Sequence, residues 1–269
     1  MKVVILCGGL GTRLSEETVL KPKPMVEIGQ IPILQHIMNS YAQNGFDEFL
    51  IALGYKGYVI KDYFLHYFYR QHDFTMYTKD GSIEPHRREQ DDWKVHLIDT
   101  GMHTMTGGRL LRLKDWLNHE TFMLTYGDGV SDVNIEALLA FHKSHGKIAT
   151  VTAVRPKGRF GVMDIRESHV SRFKEKLQTD ESWINGGYFV FEPAIFDYLV
   201  DDGSYLERDA LEALAEHGEL MAYKHDGFWQ CMDTLRDKRH LEAIWETGNA
   251  PWVGENNHEI QVQKGEQVC

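Results

Sequence analysis

Short apolar runs alternate with stripes of helical period along this chain. Val3 to Cys7 is apolar and stops at Gly8-Gly9, as a strand buried on both faces does. Pro32 opens a helical pattern through Ile33, Ile37 and Tyr41 that ends at Gly45. Phe49 to Leu53 predicts a second strand, and Val59 to Phe68 a second helix. Residues 70–92 are polar and irregular; they predict an inserted hairpin or loop, with its turn at Asp80-Gly81. Val95 to Ile98, then Phe122 to Tyr126, read as further strands, the latter ending at Gly127-Asp128-Gly129. A helix with Ile135, Leu138 and Leu139 on one face stops at Gly146, and Ile148 to Val154 is again a strand.

From 160 to 192 the pattern is mostly β, clearest over Gly186–Phe191. Ser204 with Glu207, and Thr234 with Asp237, have capping-box spacing before apolar stripes. The alternation predicts an α/β fold, a Rossmann-like αβα sandwich whose mostly parallel mixed sheet carries a small β-rich region on the substrate side. Residues 1–252 read as one domain and 253–269 as a tail.

Composition narrows the partners. With 29 Lys+Arg against 40 Asp+Glu, the 269-residue chain carries a formal charge of −11. That excludes the basic face a nucleic-acid binder needs and the polybasic patch of a membrane-surface protein. No stretch approaches the roughly 20 apolar residues of a membrane span. The first apolar run is shorter than the roughly 7–15 residues of a signal-peptide core. Cys7, Cys231 and Cys269 have no CxxC spacing, which predicts neither a zinc site nor a disulfide framework and suits a reducing cytoplasm.

The chemistry concentrates in Gly8-Gly9-Leu10-Gly11-Thr12-Arg13-Leu14, directly after the first strand. Glycines let the main chain approach a ligand closely, and successive N–H groups cradle phosphate oxygens. A dinucleotide fingerprint starting at Gly9 would want a small residue where Leu14 stands, and a Walker loop would end in GK[ST]. About ten residues on, Lys21-Pro22-Lys23-Pro24 adds two lysines fixed between prolines. Three cations in an acidic protein suit a phosphate: Arg13 as a bidentate fork and a lysine as a point charge.

GGLGTRL followed by KPKPMV resembles the signature of the sugar-1-phosphate nucleotidylyltransferases. Tyr126-Gly127-Asp128-Gly129, Phe173-Lys174-Glu175-Lys176, the stretch Trp183 to Tyr188 and the stretch Phe228 to Thr234 match that family in order, so the resemblance spans about residues 1–250. KPKPMVEIG, RFGVM and WINGGYFVFEP resemble most closely the members that join CTP to glucose 1-phosphate and so supply nucleotide sugars for O-antigen-type polysaccharide.

The resemblance implies that Leu6, Gly8, Gly9, Leu10, Gly11 and Thr12 line the nucleotide, that Arg13 neutralises the leaving pyrophosphate, and that Lys23 rather than Lys21 serves the α-phosphate. It implies one Mg²⁺ shared by Asp128 and Asp233. Two carboxylates completed by water and phosphate suit that ion, provided the fold brings together residues about a hundred positions apart. Thr104, Gly108 and Arg109 would meet the base, and Glu175, Lys176, Asn185 and Gly186 the sugar. A homo-oligomer is implied as well, with a hexamer among the candidates. UTP or dTTP in place of CTP, or a nucleotide-sugar sensor without catalysis, remain as alternatives. A sugar 1-phosphate is mostly dianionic at neutral pH, so no general base and no Ser/His/Asp set is required.

Overall fold

The computed structural model describes residues 1–86, 91–156, 162–166, 169–174 and 182–254. Its centre is a seven-stranded sheet. In chain order the strands are β1 (Lys2–Cys7), β2 (Glu48–Leu53), β3 (Lys94–Asp99), β4 (Phe122–Tyr126), β5 (Ala149–Val154), β6 (Ile184–Phe191) and β7 (Leu220–His225). Across the sheet they run β7-β5-β6-β4-β1-β2-β3. All pairs are parallel except those of β6, which lies antiparallel between β5 and β4.

The alternation of side chains explains why β1 is apolar throughout. Val3 and Ile5 face one core with Phe49, Ile51 and Met123, while Val4 and Leu6 face another with Leu50, Leu124 and Phe189. Helices cover both faces. The first core is closed by α1 (Ile33–Ala42), α2 (Gly57–Leu65), α3 (Tyr67–Gln71), α5 (Ile135–His145) and α6 (Leu235–Glu246). The second takes α4 (Thr106–Leu111) and the segment around Leu206 and Leu214.

Several expectations are adjusted. The helix expected over 59–68 is two helices, α2 and α3, broken at His66. Residues 74–85 form a hairpin, Phe74–Met76 against Ile83–Pro85, around Asp80-Gly81. Thr234 and Asp237 do make a capping box at the start of α6. Ser204 does not: its hydroxyl accepts the N–H groups of Val200 and Asp201 behind it. The next turn is a π-helix, Leu206–Leu211, which starts after Tyr205. Of the expected tail, Val253 still packs on the core and Gly254 donates its N–H to Gln43; residues 255–269, Cys269 included, lie outside the described residues. No helix among the described residues is long and apolar enough to cross a membrane.

A buried polar chain ties α5 to the sheet. His145 Nδ1 accepts the Lys147 N–H, so its Nε2–H donates to Thr150 Oγ1 at 2.8 Å. Thr150 therefore donates to His142 Nδ1 at 2.8 Å, and His142 Nε2–H to Glu192 at 3.1 Å. In this arrangement both rings are neutral. Burial accordingly holds both histidines below their ordinary pKa. A depressed histidine pKa contributes stability fully present above about pH 6.5 and lost as pH falls through the folded value. We expect the gap in melting temperature between the wild type and His142→Gln to narrow from about pH 7.5 to about pH 5.5, as thermal unfolding at each pH will read. A constant gap would mean that the chain does not titrate.

Candidate active site

The strand order places the site. The chain begins in mid-sheet with β1, moves outward through β2 and β3, then returns to the other side of β1 as β4. The carboxyl ends of β1 and β4 thus flank a switch point, where open α/β sheets bind ligands. The loop Gly8–Arg13 leaves β1 there, and Gly127-Asp128 leaves β4 beside it. Being antiparallel, β6 starts at this same end and brings Asn185 and Gly186. A cavity of about 510 Å³ opens between these loops.

Asp128 and Asp233 meet because of a short ribbon. Gly129–Ser131 pairs antiparallel with Trp229–Cys231, and Met232 N–H donates to the Asp128 carbonyl at 2.8 Å. The capping box at Thr234 then turns the chain into α6 directly after Asp233. Lys23 stands in a tight 3₁₀ turn between Pro22 and Pro24. Its Nζ lies 2.6 Å from Asp128 Oδ2 and 2.6 Å from Asp233 Oδ1, bridging the two carboxylates. Lys21 pairs instead with Glu27 at 3.2 Å, so of these two it is Lys23 that lines the cavity. Arg13 reaches Asp233 Oδ2 at 2.7 Å from a side chain that is 71% exposed, an arm free to turn toward a ligand.

The electrostatics follow from that geometry. Burial opposes the charge on Lys23, yet Asp128 and then Asp233 outweigh it and hold the ammonium above the ordinary lysine range. Burial also opposes the charge on Asp233, but Lys23 and then Arg13 hold its carboxyl below the usual range. Cys231 beside it is no nucleophile: burial and the neighbouring carboxylates push its thiol up to about 12.

Two carboxylates converging on one cation form a hard oxygen donor set. Among the described residues no group of three His, Cys, Asp or Glu could hold a metal. A divalent ion seated on Asp128 and Asp233 would therefore draw most ligands from water and phosphate, the habit of Mg²⁺.

The remaining expected residues divide. Leu6, Gly8, Gly9, Gly11, Thr12, Thr104, Asn185 and Gly186 all line the cavity. Leu10 does not; its side chain is 49% exposed and leaves the loop for solvent. Gly108 is not part of that lining: it lies inside α4, and a Cβ there would come within 2.5 Å of the Asp202 backbone. Its lack of a side chain lets α4 pack closely on the 201–204 turn.

Arg109 lines the cavity as well. Its guanidinium is buried at the cavity's back wall, where Nη1 and Nη2 donate to the carbonyls of Leu53, Gly101, Gly8 and Met102 and to Thr100 Oγ1. These contacts make it a brace for the loops that form the cavity wall. Glu175 and Lys176 lie outside the described residues. The structure adds Tyr126, Thr106, Tyr205 and Trp229 to the cavity wall. Trp229 Nε1 donates to the Gly186 carbonyl at 2.7 Å. Only the position of Tyr126 and Trp229 inside the quoted motifs could have flagged them.

A phosphate-shaped glycine loop, a bridged carboxylate pair and a switch-point cavity define a nucleotidyl transferase site, and the chain belongs to the nucleotidyl transferase family, whose model matches residues 2–237. Within that family it is similar to glucose-1-phosphate cytidylyltransferase of Salmonella typhimurium, 54% identical over 253 residues that cover 94% of this chain and 98% of that protein. The enzyme of the same name from Salmonella typhi is 53% identical over the same shares. Among solved structures, HddC from Yersinia pseudotuberculosis shares the fold, with a TM-score of 0.64 at 22% identity over 91% of this chain and 99% of that one.

Proposed function

We propose that this protein transfers a cytidylyl group from CTP to α-D-glucose 1-phosphate, giving CDP-glucose and pyrophosphate. Family membership carries the reaction class, and the high identity to glucose-1-phosphate cytidylyltransferases along nearly the whole chain carries the substrates. The observation that carries the mechanism is Lys23, fixed between Asp128 and Asp233 in a cavity that the glycine loop also lines.

The task is to bring two polyanions together and to stabilise charge on the α-phosphate and the leaving group. The sugar phosphate is already mostly dianionic, so it attacks the α-phosphorus in line without a general base, and pyrophosphate leaves with no covalent intermediate. Lys23 stabilises the α-phosphate, and the exposed arm of Arg13 follows the departing pyrophosphate. Asp128 and Asp233 would hold Mg²⁺, which when bound supplies positive charge at the phosphates. The acidic chain thus binds small polyanions through a local cluster of cations.

We assign the reaction to the cytoplasm, a compartment that suits the unpaired thiols of Cys7 and Cys231. We also assign a homo-oligomer, up to a hexamer. The exposed apolar side chains Leu65, Tyr69, Phe74 and Met76 support that assignment.

The test is pyrophosphate release with glucose 1-phosphate, Mg²⁺ and each nucleoside triphosphate separately. Release with CTP is expected. Release with UTP or dTTP alone would refute the base assignment, and release with none would favour a sensor.

A further inference from the structure

Glu207 has capping-box spacing from Ser204, yet it belongs to a hydrogen-bond chain on the cavity wall. It sits in the π-helix Leu206–Leu211, a rare turn that often marks functional sites. Its two carboxylate oxygens each take a hydroxyl: Tyr126 O–H at 2.5 Å and Thr106 O–H at 2.7 Å. Thr106 Oγ1 in turn accepts the Leu206 N–H at 3.0 Å, which leaves its proton for Glu207.

The direction of the chain is then determined. A carboxylate only accepts, so Tyr126 must give its proton to Glu207, and its oxygen is left to accept. It accepts from Asn185 Nδ2 at 3.3 Å. At the other end of the amide, Asn185 Oδ1 accepts the Gly187 N–H at 2.7 Å. Gly187 has a left-handed φ of 79°, and a Cβ there would come within 2.6 Å of the Tyr126 ring. Both ends of the Asn185 amide are therefore oriented, and its remaining N–H belongs to the cavity that Asn185 lines.

We propose that Glu207 is a positioning residue: acting through Tyr126, it fixes the Asn185 amide so that the cavity offers the glucosyl group a hydrogen-bond donor. The proposal rests on the reading of Asn185 as part of the sugar side. In Glu207→Gln an amide replaces the acceptor-only group, so the chain can reverse and the Nδ2 end of Asn185 loses its fixed acceptor, with only the Gly187 N–H still holding Oδ1. Tyr126→Phe removes the link while keeping the ring against Gly187, and it is the second variant should Glu207→Gln fail to fold.

Calorimetric titration with CDP-glucose and with CTP, on the wild type and both variants, tests this without turnover. The dissociation constant for CDP-glucose is expected to rise roughly ten-fold in each variant, as for loss of one well-placed hydrogen bond, while that for CTP stays within about two-fold. The double variant should be no weaker than either single one, since all three break the same chain. A merely structural role would lower the melting temperature and move both ligands together. Equal shifts for CTP and CDP-glucose, no shift for either, or no wild-type affinity for CDP-glucose would each overturn the proposal. Failure of the functional reading would register separately, as absent pyrophosphate release by the wild type.

Discussion

Lys23→Met is expected to lower kcat/KM by about three orders of magnitude, because one side chain supplies both the cation for the α-phosphate and the bridge between two carboxylates. Methionine keeps most of the stem, so the pocket formed by Pro22, Pro24 and the glycine loop stays filled. What disappears is the ammonium at 2.6 Å from both Asp128 and Asp233. Those carboxylates then face each other as like charges, with Arg13 pairing only with Asp233 and from an exposed position. A carboxylate pair without its cation raises one pKa.

The sign of the pH effect follows. Asp233 is held below its ordinary pKa in the wild type, so it contributes stability that is present above about pH 4 and lost as pH falls through the folded value. In Lys23→Met that contribution becomes repulsion at neutral pH. The variant should therefore be furthest below the wild type near neutrality and draw closer to it toward about pH 4.

Steady-state kinetics and unfolding at several pH values check both parts. Excess Mg²⁺ separates two roles, since a divalent ion can replace the lost counter-charge between the aspartates. It should restore stability but not turnover; recovery of turnover would show that Lys23 is only a counter-ion. Without nucleotide, the variant should bind Mg²⁺ more tightly than the wild type, whose ammonium occupies the same oxygens.

The parts of this molecule legible in its sequence are those governed by local pattern. Val3–Cys7 announces a strand buried on both faces because every residue is apolar, and the structure indeed divides its side chains between two cores. Thr234 and Asp237 announce a helix start because the cap is a contact between residues three apart. The kinds of residue in the site were legible for the same reason: glycines, lysines between prolines, and aspartates at strand ends stand in compact motifs.

What joins them was not legible. Asp128 and Asp233 meet through a ribbon of three residues on each side, too short and too distant in sequence to leave a periodic signal. Ser204 and Glu207 have the spacing of a capping box, but each side chain has a stronger partner elsewhere, the N–H groups of 200 and 201 for one and Tyr126 for the other. Spacing detects one possible bond; it does not register the competing one, whether a few residues behind, as for Ser204, or far along the chain, as for Glu207. Arg109 shows the same limit. An arginine after two glycines suggests a ligand contact, but its bracing of three loops leaves no trace, because most of its partners are carbonyls, which every residue has and no sequence displays.

That last residue carries the largest expected loss of stability. Arg109→Met should lower the unfolding free energy by about 3–5 kcal/mol, near the upper end for one substitution. The guanidinium is only 5% exposed and stands where three parallel strands end. It donates to Gly8 after β1, to Leu53 at the end of β2, and to Thr100, Gly101 and Met102 after β3. Methionine fills most of the volume, so the loss comes from the guanidinium's hydrogen bonds: the Leu53 and Gly8 carbonyls keep the N–H groups of Thr100 and Tyr55, whereas those of Gly101 and Met102 lose their donor, at about 1–3 kcal/mol each before the loops relax.

Arg109→Lys should recover only part of this. An ammonium radiates three donors from one point and cannot span acceptors that lie on both sides of a planar fork. Burial depresses the Arg109 pKa, yet its reference lies so high that the charge persists at every working pH. The deficit should accordingly be independent of pH between about 6 and 9, unlike that of Lys23→Met.

Denaturant unfolding gives the stability, and nucleotide titration gives the functional consequence. Because Gly8 belongs to the phosphate loop, CTP affinity should fall with stability even though Arg109 need not touch the nucleotide. A variant that kept full stability and lost only CTP affinity would show that Arg109 acts by direct contact with the ligand and not as a brace.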